Sequence, residues 1–479
     1  MRTLNAQPTL ALEIHPARDP LAALAALPGA FALRSSLPDN GARFRQARWT
    51  LFGADPFEMF RGGEQDLPGR FRRLAATVAP PETAVPQDLQ DIPFTGGAVG
   101  YWAYDYGRRL ERLPELARDD LQLPDRVVGL YDVTGAHDHD TGRTWVFSTG
   151  LPADGDARAA RARERLGQFC SRLESDEASE EAAPPRVRAR ARVATSTFTA
   201  AGYRRAVDEV RDAIARGDIF QANVSQRWQL PLKGAHRHAL ALDAALRELT
   251  PSPFAATLLL GNHAVLSASP ELFLRRRGDA VTTRPIKGTR PRGADEARDA
   301  ALALELQASA KDRAENVMIV DVLRNDLGRV CETGSVTVPE LCALERFPQV
   351  WHLTSTVTGK LRSSLDAFDL LHACFPGGSI TGAPKIRAME ILEALEPVRR
   401  HLYTGAIGWV GWDGDADWNI AIRTAVATPS AIVWNAGGGI TADSDPEAEY
   451  RESLAKGEGL RAAISSVLGE VTLGEPAER

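Results

Sequence analysis

The 479-residue sequence predicts an α+β fold. Strand-like runs recur along the chain, helical runs interrupt them at irregular intervals, and no regular strand–helix–strand rhythm links them, which argues against a parallel α/β sheet. With 44% hydrophobic residues, the chain can bury one large core or two ordinary ones.

The elements read as follows. Residues 1–150 are short strands and turns, as in the glycine-rich Phe94-Thr95-Gly96-Gly97-Ala98-Val99-Gly100-Tyr101. Residues 151–195 begin as an Arg/Ala/Glu helix and end in an acidic, proline-terminated run from Ser175 to Pro185, the composition of a solvated linker. Residues 196–465 form the second half, and 466–479 a tail. A helix starts at about Thr199, with Ala206, Val207, Val210 and Ile214 as its apolar stripe and Gly217 as its end. A strand over 219–230 follows, then strand signals over 254–274 and 280–287. One long helix is expected over 297–327, and further helices over 364–374 and 384–396. Strands are expected over 404–412, 418–427 and 430–436. The last helix starts near Ser444, where Ser444-Asp445-Pro446-Glu447 offers an N-cap serine, an early proline and a capping-box glutamate. No internal repeat is visible.

Composition excludes several classes. A net charge of -6 gives no general reason to bind nucleic acid. Cys170, Cys331, Cys342 and Cys374 are widely spaced, with neither a zinc pattern nor a disulfide scaffold, as expected for a reducing cytoplasm. Met1-Arg2-Thr3-Leu4-Asn5 lacks a signal-peptide pattern. The longest apolar stretch, 21–33, is broken by Pro28 and Gly29 and is too short to span a bilayer, so no membrane association is expected. Of 57 Lys plus Arg, only six are lysine: Lys233, Lys287, Lys311, Lys360, Lys385 and Lys456. In so arginine-rich a chain, a retained lysine gains interest where a compact ammonium or a free amine has a chemical use.

Two acidic clusters carry potential chemistry. Asp312 and Glu315 are three apart and share a helix face. Glu449, Glu452 and Lys456 share a face of the final helix. Either spacing alone most often marks a solvated helix surface. But Glu315 precedes the apolar Val317-Met318-Ile319-Val320, and Glu449 follows Gly437-Gly438-Gly439-Ile440, whose bare backbone N–H groups can bind an anion. Two carboxylate-bearing helices facing each other would hold magnesium, with Lys456 free for a substrate carboxylate. Arg423 is expected inside a buried strand, Ile420-Ala421-Ile422-Arg423-Thr424, where a ligand carboxylate is a fitting partner.

Seven segments in order carry a resemblance: Ser269-Pro270-Glu271, Pro285-Ile286-Lys287-Gly288-Thr289-Arg290, Lys311 to Asn316, Arg324-Asn325-Asp326-Leu327, Ser379 to Lys385, the glycine triplet, and the Glu449/Glu452/Lys456 helix. The set resembles the chorismate-utilising enzymes, among them anthranilate, aminodeoxychorismate, isochorismate and salicylate synthases. It covers about residues 196–465. The first half is similar to the family's N-terminal region through Phe94 to Tyr101 and Tyr104-Asp105. The resemblance implies two packed, mainly antiparallel sheets flanked by helices. It implies Glu315 and Glu452 as magnesium ligands, with Asp312 and Glu449 near the metal. Glu271 would be the general acid that helps the ring hydroxyl leave. Tyr403, Arg423, Lys456 and the Gly439 backbone would hold chorismate carboxylates, and His352 would lie beside the ring.

Two positions separate the branches of that family. In the anthranilate-forming pattern the residue between Pro-Ile and Gly-Thr is small; in the aminodeoxychorismate-forming pattern it is lysine, as Lys287 is here. Such an amine can attack the ring and expel the hydroxyl before ammonia displaces it. A free lysine has a pKa near 10.4, so the site must favour its neutral form. Gln221 stands where the water-using members carry a lysine base, and a glutamine cannot deprotonate water. The resemblance thus implies amination of chorismate to 4-amino-4-deoxychorismate, with anthranilate synthesis as the alternative. No cysteine has a nucleophile-elbow context and no length remains for a glutaminase domain, so a separate glutaminase subunit would supply the ammonia. No lyase domain is visible, so the product would keep its enolpyruvyl group and pass toward 4-aminobenzoate and folate. The complete set of acid, amine and metal-ligand candidates argues against a protein that only holds chorismate or tryptophan. Leu33-Arg34-Ser35-Ser36, followed by Phe44, loosely matches the family's amino-acid-binding element.

Overall fold

The computed structural model describes residues 9–35, 48–63, 65–78, 91–175, 191–347 and 349–476. Ser36, Phe44, most of the acidic run before Pro185 and the last three residues lie outside these.

Two large sheets dominate, and both halves of the chain build both. In the first, Leu10–Ile14, Thr144–Ser148, Val133–Asp138, Trp49–Gly53 and Phe31–Arg34 continue directly into Phe254–Leu259, Ala264–Ser269, Thr424–Ala427, Ala431–Ile440 and Gln221–Pro231. Arg192–Ser196 and Val471–Gly474 close that sheet with a parallel pair; its other pairings are antiparallel. The second runs Ile286–Pro291, Val350–Lys360, Ala280–Arg284, Leu272–Arg277, Ala416–Ile420, Ala406–Gly411, Gly97–Trp102, Arg126–Tyr131 and Glu58–Arg61, all antiparallel. Phe31, Leu258 and Val433 of the first sheet are buried with Tyr101, Ile407 and Trp409 of the second, which locates the core between them. The helices Ala310–Gly328 and Ala367–Cys374 share a second core with the other face of the second sheet, while Ala239–Leu249 and Pro446–Leu468 cover the first. This is the α+β architecture of two packed sheets flanked by helices.

Many elements lie where local signals put them. The helix Ala200–Ala215 is capped by Thr199, whose side chain accepts the Gly202 N–H. Three regions differ. The helix expected over 297–327 is two, Glu296–Ala308 and Ala310–Gly328, because Ser309 adopts an extended backbone and caps the second through the Asp312 N–H. The final helix is capped by Asp445 rather than Ser444; Asp445 accepts the Ala448 N–H at 2.8 Å, while Ser444 donates to Glu449 at 2.7 Å. The strand expected over 418–427 breaks into Ala416–Ile420 and Thr424–Ala427, which belong to different sheets. Arg423 sits at the crossing, not within a strand, with φ of 49°. A second crossing, from Ala264–Ser269 to Leu272–Arg277, carries Glu271. The two crossings are neighbours, since Ser267 pairs with Thr424 and Leu272 with Asn419.

Candidate active site

The glycine triplet prolongs the strand expected over 430–436, as the end of the strand Ala431–Ile440, and pairs along one edge with Asn223, Val224 and Ser225. On its other edge the neighbouring strand pairs only with Ile432, Val433 and Trp434. That leaves the glycine edge open, and Lys456 Nζ donates to the Gly437 carbonyl there at 3.1 Å. By the two-residue alternation of an antiparallel ladder, the Gly439 N–H faces the same way. The missing side chains make room for acids. A Cβ on Gly438 would fall 2.9 Å from Glu449 Oε2 and 3.7 Å from Glu452 Oε1. One on Gly439 would fall 2.2 Å from Gln221 Nε2 and 2.6 Å from Glu315 Oε1. Two helices and a strand edge thus converge at this point.

Each of these carboxylates is partnered by an ammonium. Glu315 accepts Lys287 Nζ at 2.7 Å and Gln221 Nε2 at 2.9 Å. Glu452 pairs with Lys456 at 2.7 Å, and Glu449 with Lys311 at 3.6 Å. Burial raises the Glu449 carboxyl above its ordinary range, and Glu452 adds to the rise. Burial also opposes ionisation of Glu452, but Lys456, Lys311 and Lys287 outweigh it and hold that carboxyl low. Asp312 turns away toward Arg290 at 3.3 Å. Among the described residues no three His, Cys, Asp or Glu side chains form a group that could hold a metal as they stand. The donor chemistry still suits a hard cation: Glu315, Glu449 and Glu452 offer only oxygen, and their charges are balanced by displaceable ammonium groups.

Glu271 is 4% exposed, and Ser379 Oγ donates to its Oε1 at 2.5 Å. Burial pushes its carboxyl up to about 7, although Ser379, Lys287 and Lys456 pull the other way. A carboxyl protonated near neutrality can serve as a general acid. At the other crossing, burial lowers the Arg423 guanidinium with no compensating anion among the described residues. Its charge reaches His352, a buried ring whose Nδ1 lies 2.9 Å from Thr289 Oγ1. Burial, reinforced by Arg423, drives the His352 pKa down to about 3, so the ring is neutral. Burial raises the Tyr403 phenol to about 12, and that hydroxyl bonds with Asn223, the residue paired with Gly439.

The sequence-derived candidates therefore fall into three neighbouring groups: Lys287, Gln221 and Glu315; Glu449, Glu452 and Lys456 across the glycine edge; Arg423 and His352 by the sheet crossing. Glu271 lies within electrostatic reach of Lys287 and Lys456. Sequence reasoning did not assign roles to Ser379, Lys311 or Asn223. Ser379 and Lys311 sit inside the recognised segments and were there to be found; Asn223 has no signal apart from strand pairing.

A site that sets a half-buried arginine with no anion beside it among the described residues, an open strand edge, an acid and an amine in neighbouring groups suits a small, multiply charged anion. The chain belongs to the chorismate binding enzyme family, whose match spans residues 42–462. It is 40% identical over 445 residues to aminodeoxychorismate synthase component 1 of Escherichia coli (strain K12), covering 90% of this chain and 92% of that one. It is also 40% identical over 442 residues to anthranilate synthase component 1 of Streptomyces coelicolor, covering 90% and 83%. The crystal structure of anthranilate synthase component I from Streptococcus pneumoniae TIGR4 superposes with a TM-score of 0.74 at 28% identity, covering 88% of this chain and 94% of that one.

Proposed function

We propose that the chain converts chorismate and ammonia to 4-amino-4-deoxychorismate, the activity that its relatives at 38–45% identity are named for. Overall identity does not separate this from anthranilate synthesis, since both kinds of relative stand at 40%. Lys287 carries the distinction: a primary amine, seated 2.7 Å from Glu315 and within electrostatic reach of Glu271.

In this reading Arg423, Lys456 and the Gly439 N–H hold the substrate carboxylates, with Tyr403 beside them and neutral His352 against the ring. Once the Lys287 ammonium has given up a proton to solvent, its free amine forms a bond to the ring as the ring hydroxyl leaves, taking a proton from Glu271 and departing as water. Ammonia then forms the new C–N bond and the lysine amine is expelled. Gln221 orders Glu315 and offers no base for water. Magnesium would be held by Glu315 and Glu452, with Glu449 behind them and Asp312 joining only on leaving Arg290, and would neutralise a substrate carboxylate as a Lewis acid. Lys287 would release Glu315 when the metal binds.

The ammonia would come from a separate glutaminase, the second component that the relatives' "component 1" name implies. Cytoplasmic residence suits the four free, buried cysteines; no helix among the described residues is long and apolar enough to cross a membrane. The test is product identification from chorismate, a magnesium salt and an ammonium salt. The expected product is 4-amino-4-deoxychorismate; anthranilate as the main product would make the chain an anthranilate-forming enzyme instead.

A further inference from the structure

The Arg400 side chain bonds to none of the candidate substrate-binding side chains, yet its partners support several of them. The side chain is 4% exposed. Its Nε and Nη2 form a fork on Glu396, at 2.8 and 2.7 Å. Nη1 donates to the Ile380 carbonyl at 3.1 Å and to Thr404 Oγ1 at 3.4 Å, and Nη2 also donates to the Asn223 carbonyl. Glu396 in turn accepts the Ser225 N–H and hydroxyl, both at 2.9 Å.

These partners lie behind different parts of the site. Ile380 follows Ser379, which donates to Glu271. Asn223 pairs with Gly439, bonds with Tyr403, and donates its N–H to Thr381 at 2.9 Å. Thr404 follows Tyr403 and has φ of 62°, a left-handed conformation that needs outside support. The first half of the chain closes the arrangement. The guanidinium lies 4.8 Å above the Tyr104 ring, and Asp105 accepts the His401 N–H at 2.8 Å.

We propose that Arg400 is a positioning residue for the amination: its planar fork holds the Ser379–Thr381 turn, the Asn223 strand and the Tyr403–Thr404 turn in one arrangement, and so holds Ser379 on Glu271. A guanidinium can serve these acceptors at once; an ammonium keeps the charge but cannot span them. The role rests on the reading of Glu271 as the acid. The groups acting on Glu271 are Ser379, Lys287, Lys456 and the Ile286 backbone, of which the Arg400 side chain holds only Ser379, through the carbonyl of the next residue, Ile380.

The experiment compares wild type, Arg400→Lys and Ser379→Ala, each shown to be folded by circular dichroism. Full pH profiles are recorded with ammonium as the nitrogen source. Arg400→Lys should lose kcat by ~30-fold, with KM for chorismate within about threefold, because misplacement by an ångström costs up to ~100-fold. Its alkaline limb should move to higher pH, in the same direction as that of Ser379→Ala, because both loosen a bond that favours the charged carboxylate. A merely structural role would not move that limb. A folded Arg400→Lys enzyme with kcat within about threefold of wild type would overturn the proposal. So would a limb that stays put while Ser379→Ala shifts its own. If the wild type shows no such limb, the acid role of Glu271 fails instead, and the kcat-against-KM split decides Arg400 alone. Should Arg400→Lys not fold, Tyr104→Leu removes the supporting ring but no polar partner, and must show the same changes at a few-fold scale.

Discussion

Glu271→Gln should make the protein more stable above neutrality while removing its activity. The carboxyl is 4% exposed and its pKa is raised from the ordinary 4.5 to about 7 by burial. A rise from 4.5 to about 7 corresponds to ~3 kcal/mol against the ionised form in the folded protein. The sign follows from proton counts. Between pH 4.5 and about 7 the folded protein keeps a proton that the unfolded chain has lost. Stability therefore falls as pH rises through that window and stays low above it. Glutamine is neutral throughout and can still accept the Ser379 hydroxyl, so the variant escapes the loss. Urea unfolding at pH 4.5 and pH 8 should show near-equal stabilities at the lower pH and a gain of ~2–3 kcal/mol for the variant at the higher. The same substitution removes the proton donor and should cost ~100- to 10,000-fold in kcat. A variant no more stable than wild type at pH 8, or a difference that does not change with pH, would refute the reasoning about burial. Retained turnover would refute the acid role.

Two further outcomes are expected. Glu315→Gln or Glu452→Gln should abolish turnover in a folded protein and weaken magnesium binding by calorimetry, because a charged oxygen ligand is lost; full activity of the EDTA-treated wild type without added magnesium would contradict this. The purified chain should use ammonium salts but not glutamine, and regain glutamine use when mixed with a cognate glutaminase; turnover of glutamine by the chain alone would reveal an amidotransferase site that is missing from this account.

What could be read from the sequence was what local chemistry determines. Thr199 and Gly217 bracket a helix through caps and glycine freedom, and the apolar stripe between them follows the helical period. The strand from Gln221 has the same kind of signal. The family resemblance placed Lys287 and Glu271 among the candidates, and helix-face spacing had already drawn attention to Glu315 and Glu452. What could not be read depends on partners far away in the chain. The switch of sheets at Arg423 and at Glu271 requires knowing that Leu272 pairs with Asn419 and Ser267 with Thr424. An apolar run that crosses between sheets looks like one continuous strand. The strand expected over 430–436 was cut short before the glycine triplet because the partner that keeps it paired to Ile440 lies more than two hundred residues upstream. The broken helix at Ser309 has a local cause, a side-chain cap competing with the helix backbone, but a lone serine in a helical pattern does not announce it. The interleaving of both halves in both sheets is equally non-local, as Phe31–Arg34 pairing with Phe254–Leu259 illustrates.

In the proposed reaction Lys287 acts as an amine nucleophile rather than as a positive charge for a carboxylate. Lys287→Arg separates these roles, because guanidinium keeps the charge and the reach toward Glu315 but does not become a free amine. The deciding measurement is the rate at which folded Lys287→Arg forms 4-amino-4-deoxychorismate from saturating chorismate, magnesium and ammonium. The expected loss is ~1,000-fold or more, the scale of losing a covalent route. A rate within about tenfold of wild type would show that the charge alone suffices, and would contradict it.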